Sequence, residues 1–196
     1  MSTTTYSIDR DHTAVGFGVR HMLVSTIRGR FKNFCTELSL DTDNLTESHI
    51  AWTIDAASVD TAVAARDEHL RSSDFFDVER YPTLSFVSQK IERLYPAHFR
   101  VTGELTIKDR TQRISLDVEF GGIAEDPAVG TRIGFTAKGS INRREFGLTW
   151  DEVLEAGGLV VGDRIQLVIE GEAVSARSER RGSRVTVPVP PWQQAH

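Results

Sequence analysis

One cysteine, Cys35, stands among 196 residues, so no intramolecular disulfide can form and a multi-cysteine metal site is excluded. Positive charge is not in excess either. Acidic residues number 28 against 23 basic ones, a net charge of −5, whereas proteins that embrace phosphate backbones present basic surfaces. Nucleic acid is therefore set aside as a partner. No apolar run approaches the ~18 residues of a membrane-spanning helix. The opening Met1-Ser-Thr-Thr-Thr-Tyr6 has neither the charged start nor the apolar stretch of a secretion signal, so the expected location is the cytoplasm.

Catalytic signatures are equally scarce. The six histidines, His12, His21, His49, His69, His98 and His196, include no pair at His-x3-His spacing and have no cysteine partners, so no metal site is read. A Gly-x-Ser-x-Gly elbow is missing, and Gly139-Ser140 falls inside an alternating strand pattern, which leaves no nucleophile beside a base. Cys35 sits in a strand-like run and reads as a small core residue. No glycine-rich loop leads into a helix to cradle a phosphate. The sequence thus points to no enzyme and no cofactor.

What the chain does contain is period-two alternation. Phe99, Val101, Gly103, Leu105 and Ile107 alternate with Arg100, Thr102, Glu104, Thr106 and Lys108, which gives one dry face and one wet face. The pattern resumes at Ile114, Leu116, Val118 and Phe120 after the short polar Lys108-Asp109-Arg110-Thr111-Gln112, a β-hairpin. Strands are expected near 5–20, 25–41, 47–56, 82–92, 97–107, 112–122, 131–142 and 163–175. In the second of these the apolar parity slips between Phe31 and Phe34, as a bulge that bends a strand would require. Eight strands suffice to close an antiparallel β-barrel, which removes exposed edges and either fills with side chains or holds one small ligand.

One segment departs from alternation. Residues Ala62 to Arg71 are rich in helix formers and follow Asp60, a suitable N-cap, so a short helix is expected between the third and fourth strands. With the loop Ser72 to Asp77 it covers one barrel mouth, and the adjacent Phe75 and Phe76 must point apart. Beyond Ser175 the chain turns to arginine and then to a Val-Pro run ending in Trp192. This divides it into a barrel domain, 1–175, and a disordered tail, 176–196.

The strings Asp9-Arg-Asp-His12-Thr, Gly29-Arg-Phe31, Ser58-Val59-Asp60, Arg66-Asp67-Glu-His69-Leu70, Asp74-Phe75-Phe76-Asp77, Tyr81-Pro82, Gly103-Glu-Leu105-Thr106-Ile107 and Arg143-Arg-Glu-Phe146-Gly147 occur in an order that resembles the YceI-like family. The resemblance covers roughly residues 5 to 175. It implies a lipocalin-like eight-stranded antiparallel barrel with a long apolar interior that binds polyisoprenoid chains or isoprenoid quinones, and it admits a homodimer. Tyr6 stands where relatives often have Trp, and the hairpin at Lys108-Asp109-Arg110 lacks the expected glycine.

An isoprenoid tail demands a dry tube with a polar group only near its headgroup. Val15, Phe17, Phe31, Trp52, Phe86, Phe135 and Phe146 are the candidate wall residues, each equally readable as a core filler. Phe75 joins them from the loop after the helix. Arg66 and His69, three apart on one helical face, are candidates for a headgroup contact, as is His21 at a strand end. The alternative for Arg66 or Asp67 is to pin the helix to a barrel loop. The leading reading is a barrel that carries, stores or shields one long isoprenoid lipid. Its rivals are a filled barrel acting as a stress-response or interaction protein, and an enzyme acting on a bound lipid.

Overall fold

The computed structural model describes residues 3–21, 25–126, 130–151 and 161–175. Ten strand segments follow in chain order: β1 Thr4–His21, β2 Ser25–Phe31, β3 Phe34–Leu40, β4 His49–Asp55, β5 Val59–Asp60, β6 Thr83–Tyr95, β7 His98–Ile107, β8 Arg110–Asp126, β9 Gly130–Asn142 and β10 Val161–Ser175. All pairings are antiparallel, in the order β10-β9-β8-β7-β6-β4-β3-β1, and β1 pairs back onto β10 from Tyr6↔Ser175 to His21↔Val161. The sheet is thus a closed eight-stranded barrel.

Two of the ten segments add no strand to the ring. β2 and β3 are halves of one long strand interrupted at Lys32 and Asn33, where the parity slip was read. The first half pairs with the second half of β1, Phe31 opposite Val15, and the second half pairs with the start of β1, Leu40 opposite Thr4. The two-residue β5 only lengthens the wall beside β2.

The inward parity of each strand supplies the core. Along β7, Phe99, Val101, Gly103, Leu105 and Ile107 are all buried, as the alternation predicted. Cys35 is a correction. It is half-buried on the face of β3 opposite to Phe34, across from Thr53, because strand parity turns it away from the lumen, and burial against its surroundings pushes the thiol up. The hairpin without a glycine joins Ile107 to Arg110 by placing Lys108 in the left-handed region at φ 58°, a conformation that costs a non-glycine residue about 1–2 kcal/mol.

The helix α1, Ala64–Arg71, lies between β5 and β6. Its N-cap is Val63, which makes no side-chain cap bond, not Asp60. Ala62 takes a left-handed turn at φ 62° and puts Asp60 too far upstream. Asp60 instead accepts from the Ala62 N–H and pairs with Arg30 and Lys32. The helix start is secured from within by Asp67, buried in the first turn, which accepts from both the N–H and the hydroxyl of Thr61. The tail expected beyond Ser175 lies outside the described residues.

Candidate functional site

The two halves of the barrel differ. In the half away from α1, under the short 3-10 turn Leu45–Glu47, the inward side chains enclose a cavity. Its free volume is about 100 Å³. Trp52 and Phe86, opposite each other on β4 and β6, and Phe120 and Phe135, opposite each other on β8 and β9, form much of the wall. Ser48 is the one polar residue among the described lining residues, and its hydroxyl already accepts from the Asp41 N–H at 3.0 Å. An apolar cavity of ~150 Å³ takes one benzene ring. The free space here is smaller than that.

The half beneath α1 is packed. Phe146 has no exposure, Phe31 and Phe75 are buried at 8%, and Val15 lies in the same cluster near mid-barrel. Phe17 packs on Phe31 at 5.6 Å between ring centroids, and Phe31 on Phe76 at 5.7 Å. Phe75 turns the other way onto Trp150, at 5.4 Å.

The candidate residues thus fall into two groups. Trp52, Phe86 and Phe135 line the cavity. Val15, Phe17, Phe31, Phe75 and Phe146 belong to or pack against the core cluster and are not among the described lining residues. Arg66 donates to the hydroxyl and carbonyl of Thr61, and His69 meets Asp74 at 3.0 Å while its ring stands edge-on to Phe75 and Trp150. The two share a helical face but reach different partners, both at the α1 end. His21 lies at the far end of β1 opposite Ser25 and Val161, also remote from the cavity.

Arg143, fully buried at 2% exposure, is the feature at the α1 end that sequence reasoning passed over. Its guanidinium donates to the carbonyls of Leu148 and Trp150, each at 2.7 Å, and to that of Gly162 at 3.2 Å, and it pairs with Asp151. Arg144 binds Asp151 and Asp163. Burial works against charge on Asp151, yet the two guanidinium groups outweigh it and hold the carboxyl below its usual range. A signal was present: Ile133, Phe135, Ala137, Gly139 and Ile141 set an inward parity on which Arg143 falls next. An arginine in an apolar register marks a buried donor that must find acceptors.

A family description of the YceI-like domain matches residues 6–173. The chain belongs to the YceI-like family. A UPF0312 protein of Staphylococcus epidermidis is 35% identical over 170 residues, which cover 86% of this chain and 96% of that protein. The crystal structure of Burkholderia cenocepacia BcnA superposes with a TM-score of 0.73 at 25% identity, covering 84% of this chain and 98% of that one. A domain from Saccharophagus degradans, described as polyisoprenoid-binding, shares the fold with a TM-score of 0.60 at 15% identity over 88% of this chain and 99% of its own.

Asp9, His12 and Glu172 bring one ligand atom each within 4.8 Å of one another, the sole such convergence among the described residues. The Arg132 guanidinium already lies there, 3.0 Å from Asp9 and 2.8 Å from Glu172. His12 and Arg132 together hold the Asp9 carboxyl below its usual range, so a cation occupies the place a metal would need. No described helix of this YceI-like chain is long and apolar enough to cross a membrane.

Proposed function

We propose that this chain binds the isoprenoid tail of a lipid, a polyprenyl chain or an isoprenoid quinone or its precursor, within the barrel lumen, for transport, storage or shielding. The observation that carries this reading is the cavity under the Leu45–Glu47 turn, with Ser48 the one polar residue on its described wall. A surface of that kind offers nothing to a polar or charged ligand, while each Å² of apolar area it removes from water contributes about 25 cal/mol. Family membership supports the same reading, as does the fold shared with the polyisoprenoid-binding domain of Saccharophagus degradans. Trp52, Phe86 and Phe135 are the wall contacts, and the headgroup stays at the rim because the described lining is almost wholly apolar.

The test is native mass spectrometry of the purified protein followed by solvent extraction. A prenyl lipid recovered in stoichiometric amount is the expected result. Repeated preparations without lipid, together with no heat of binding on titration with a prenyl quinone, would overturn the reading in favour of a filled barrel that acts through its surface.

A further inference from the structure

Five large apolar side chains stand exposed among the described residues: Val63, Val87, Leu94, Tyr95 and Ile123. The last three gather at one place, the rim of the barrel end that holds the cavity. Leu94 and Tyr95 close β6, whose Ile91 lines the cavity, and Ala97 in the left-handed region at φ 63° makes the turn into β7 tight. The carbonyl of Ala97 accepts from the Phe120 N–H at 2.7 Å, so β8 runs past the tip of this hairpin. A bulge with Gly122 at φ 105° follows. Beyond it β8 has left β7, whose His98 lies opposite Glu119, and continues with β9 alone. Ile123 sits on that projecting arm opposite Ile133, a cavity wall residue.

Two polar side chains shape this rim. The Tyr95 ring lies against the His98 ring at 4.3 Å between centroids, which holds it at the tip. Arg93 faces the inner side, opposite Phe99, and lays its guanidinium carbon 5.3 Å from the centre of that ring. It makes no ion pair among the described residues, whereas Lys90 and Arg100 on the same hairpin pair with Glu92 and Asp117.

A ring with a hydroxyl at the tip and a cation carried on an apolar stem are the chemistry of a membrane–water boundary. There Tyr sits at headgroup level, and long basic side chains reach the phosphates while their stems stay in the apolar layer. A second copy of the chain fits the rim less well. At 43%, 56% and 47% exposure, Leu94, Tyr95 and Ile123 offer roughly 300 Å², against about 800 Å² per partner in a stable complex. We infer that this rim docks on the surface of a lipid bilayer, with those three side chains in the apolar layer and Arg93 among the phosphates. This rests on the lipid reading above, because an isoprenoid tail has to pass between a membrane and the cavity. The three side chains carry less apolar surface than one myristoyl chain, whose membrane binding is reversible at about 10⁴ M⁻¹, so the docking is transient, as exchange of a cargo requires. With Asp41, Asp43 and Glu47 around the turn at the same end and a net charge of −5, the attraction is apolar and not electrostatic.

Flotation with vesicles of phosphatidylcholine, free of any prenyl lipid, tests this directly. The parent protein should float with an association constant of about 10³–10⁴ M⁻¹, and adding about one-fifth phosphatidylglycerol should change it by less than about threefold. Leu94→Asp, Tyr95→Asp and Ile123→Asp should each weaken it at least about tenfold, since each removes apolar area and adds a charge. Val63→Asp, a site of similar exposure at the start of α1, should stay within about twofold of the parent. Farnesol presented as a cyclodextrin complex should bind the parent and Tyr95→Asp alike in calorimetry, because Tyr95 is not among the described lining residues. A parent protein that does not float, or Asp variants that float as it does, overturns the docking, while farnesol binding keeps the lipid reading intact. So does a parent that sediments as a dimer and is dissociated by Tyr95→Asp, which puts a second copy on this rim. Failure of farnesol to bind any of these proteins overturns the lipid reading and the docking with it.

Discussion

Truncating Phe135 and Phe146 to alanine separates a wall ring from a core ring. Phe146 has no exposure and is surrounded within the packed cluster. Its loss combines the transfer term with a new void, and Phe→Ala at such sites costs ~3–5 kcal/mol. Phe135 is half-buried and already borders the cavity of about 100 Å³, so most of the void term, about 24 cal/mol per Å³, is absent. What remains is part of the ~1.5–3 kcal/mol of a fully buried side chain, or about 2 kcal/mol. For a chain of this length each kcal/mol moves Tm by roughly 2–4 °C. Phe135→Ala should therefore lower Tm by about 4–8 °C and Phe146→Ala by about 6–20 °C. Differential scanning calorimetry gives both numbers, and farnesol titration on the same samples adds the second axis: about fivefold weaker binding for Phe135→Ala, within twofold of the parent for Phe146→Ala. Equal losses of Tm with unchanged affinity in Phe135→Ala would refute the assignment of this ring to the wall.

Arg143→Met should cost at least ~3 kcal/mol in chemical denaturation, because four backbone carbonyls and the carboxylates of Asp151 and Asp163 lose a buried donor at once; a cost under ~1 kcal/mol would show that water replaces the guanidinium. Asp67→Asn should lose about 1–2 kcal/mol, since a neutral amide accepts more weakly from the two Thr61 donors, while farnesol affinity stays unchanged; a fall in affinity would place this residue in binding instead of pinning. The carboxyl of Asp151 sits below its usual value of 3.8, so its contribution to stability is complete above that pH and is lost as the pH falls through the lowered folded-state value. Asp151→Asn should thus be less stable than the parent at pH 7, with the gap narrowing by pH 3. A gap that does not change with pH would contradict the ion pair.

The strands were legible because alternation is a local property that survives in any closed sheet. The ends expected near 97–107 and 131–142 fall within a residue of β7 and β9, and even the break in the long strand showed as a slip between Phe31 and Phe34. The division of the lumen was not legible for the same reason. Phe135 and Ile141 occupy identical parities on one strand, yet one borders a cavity and the other a solid core. That difference depends on which side chains from other strands reach the same height, and on glycines such as Gly103 and Gly139 that let Phe86 and Leu116 cross. Helix spacing placed Arg66 and His69 on one face, but that Arg66 meets the Thr61 hydroxyl and carbonyl follows from the turn at Ala62, which no periodicity signals.

The contrast between the two barrel ends follows from how each buries its loop backbone. At the α1 end, loop carbonyls are drawn inside and require donors. Arg143 serves those of Leu148, Trp150 and Gly162, while Arg71 serves Ala57 and Val59. Guanidinium groups suit this task because each carries five donors in a fixed plane. Once those bonds fix the loops as a plug, the rings of Phe75 and Trp150 fill the space under it, and any chain passing that way would have to break several buried polar contacts together. The opposite end closes with a three-residue turn, capped by the Asn44 side chain and anchored where Ser48 meets Asp41. Rim residues there, Tyr95 and Ile123, remain 56% and 47% exposed. The hydrogen bonds that hold this turn run within residues 41–48, and the turn roofs a wall of aliphatic and aromatic side chains. Among the described residues the cavity thus lies toward the end roofed by one short turn, and the buried guanidinium–carbonyl contacts lie toward the end under α1.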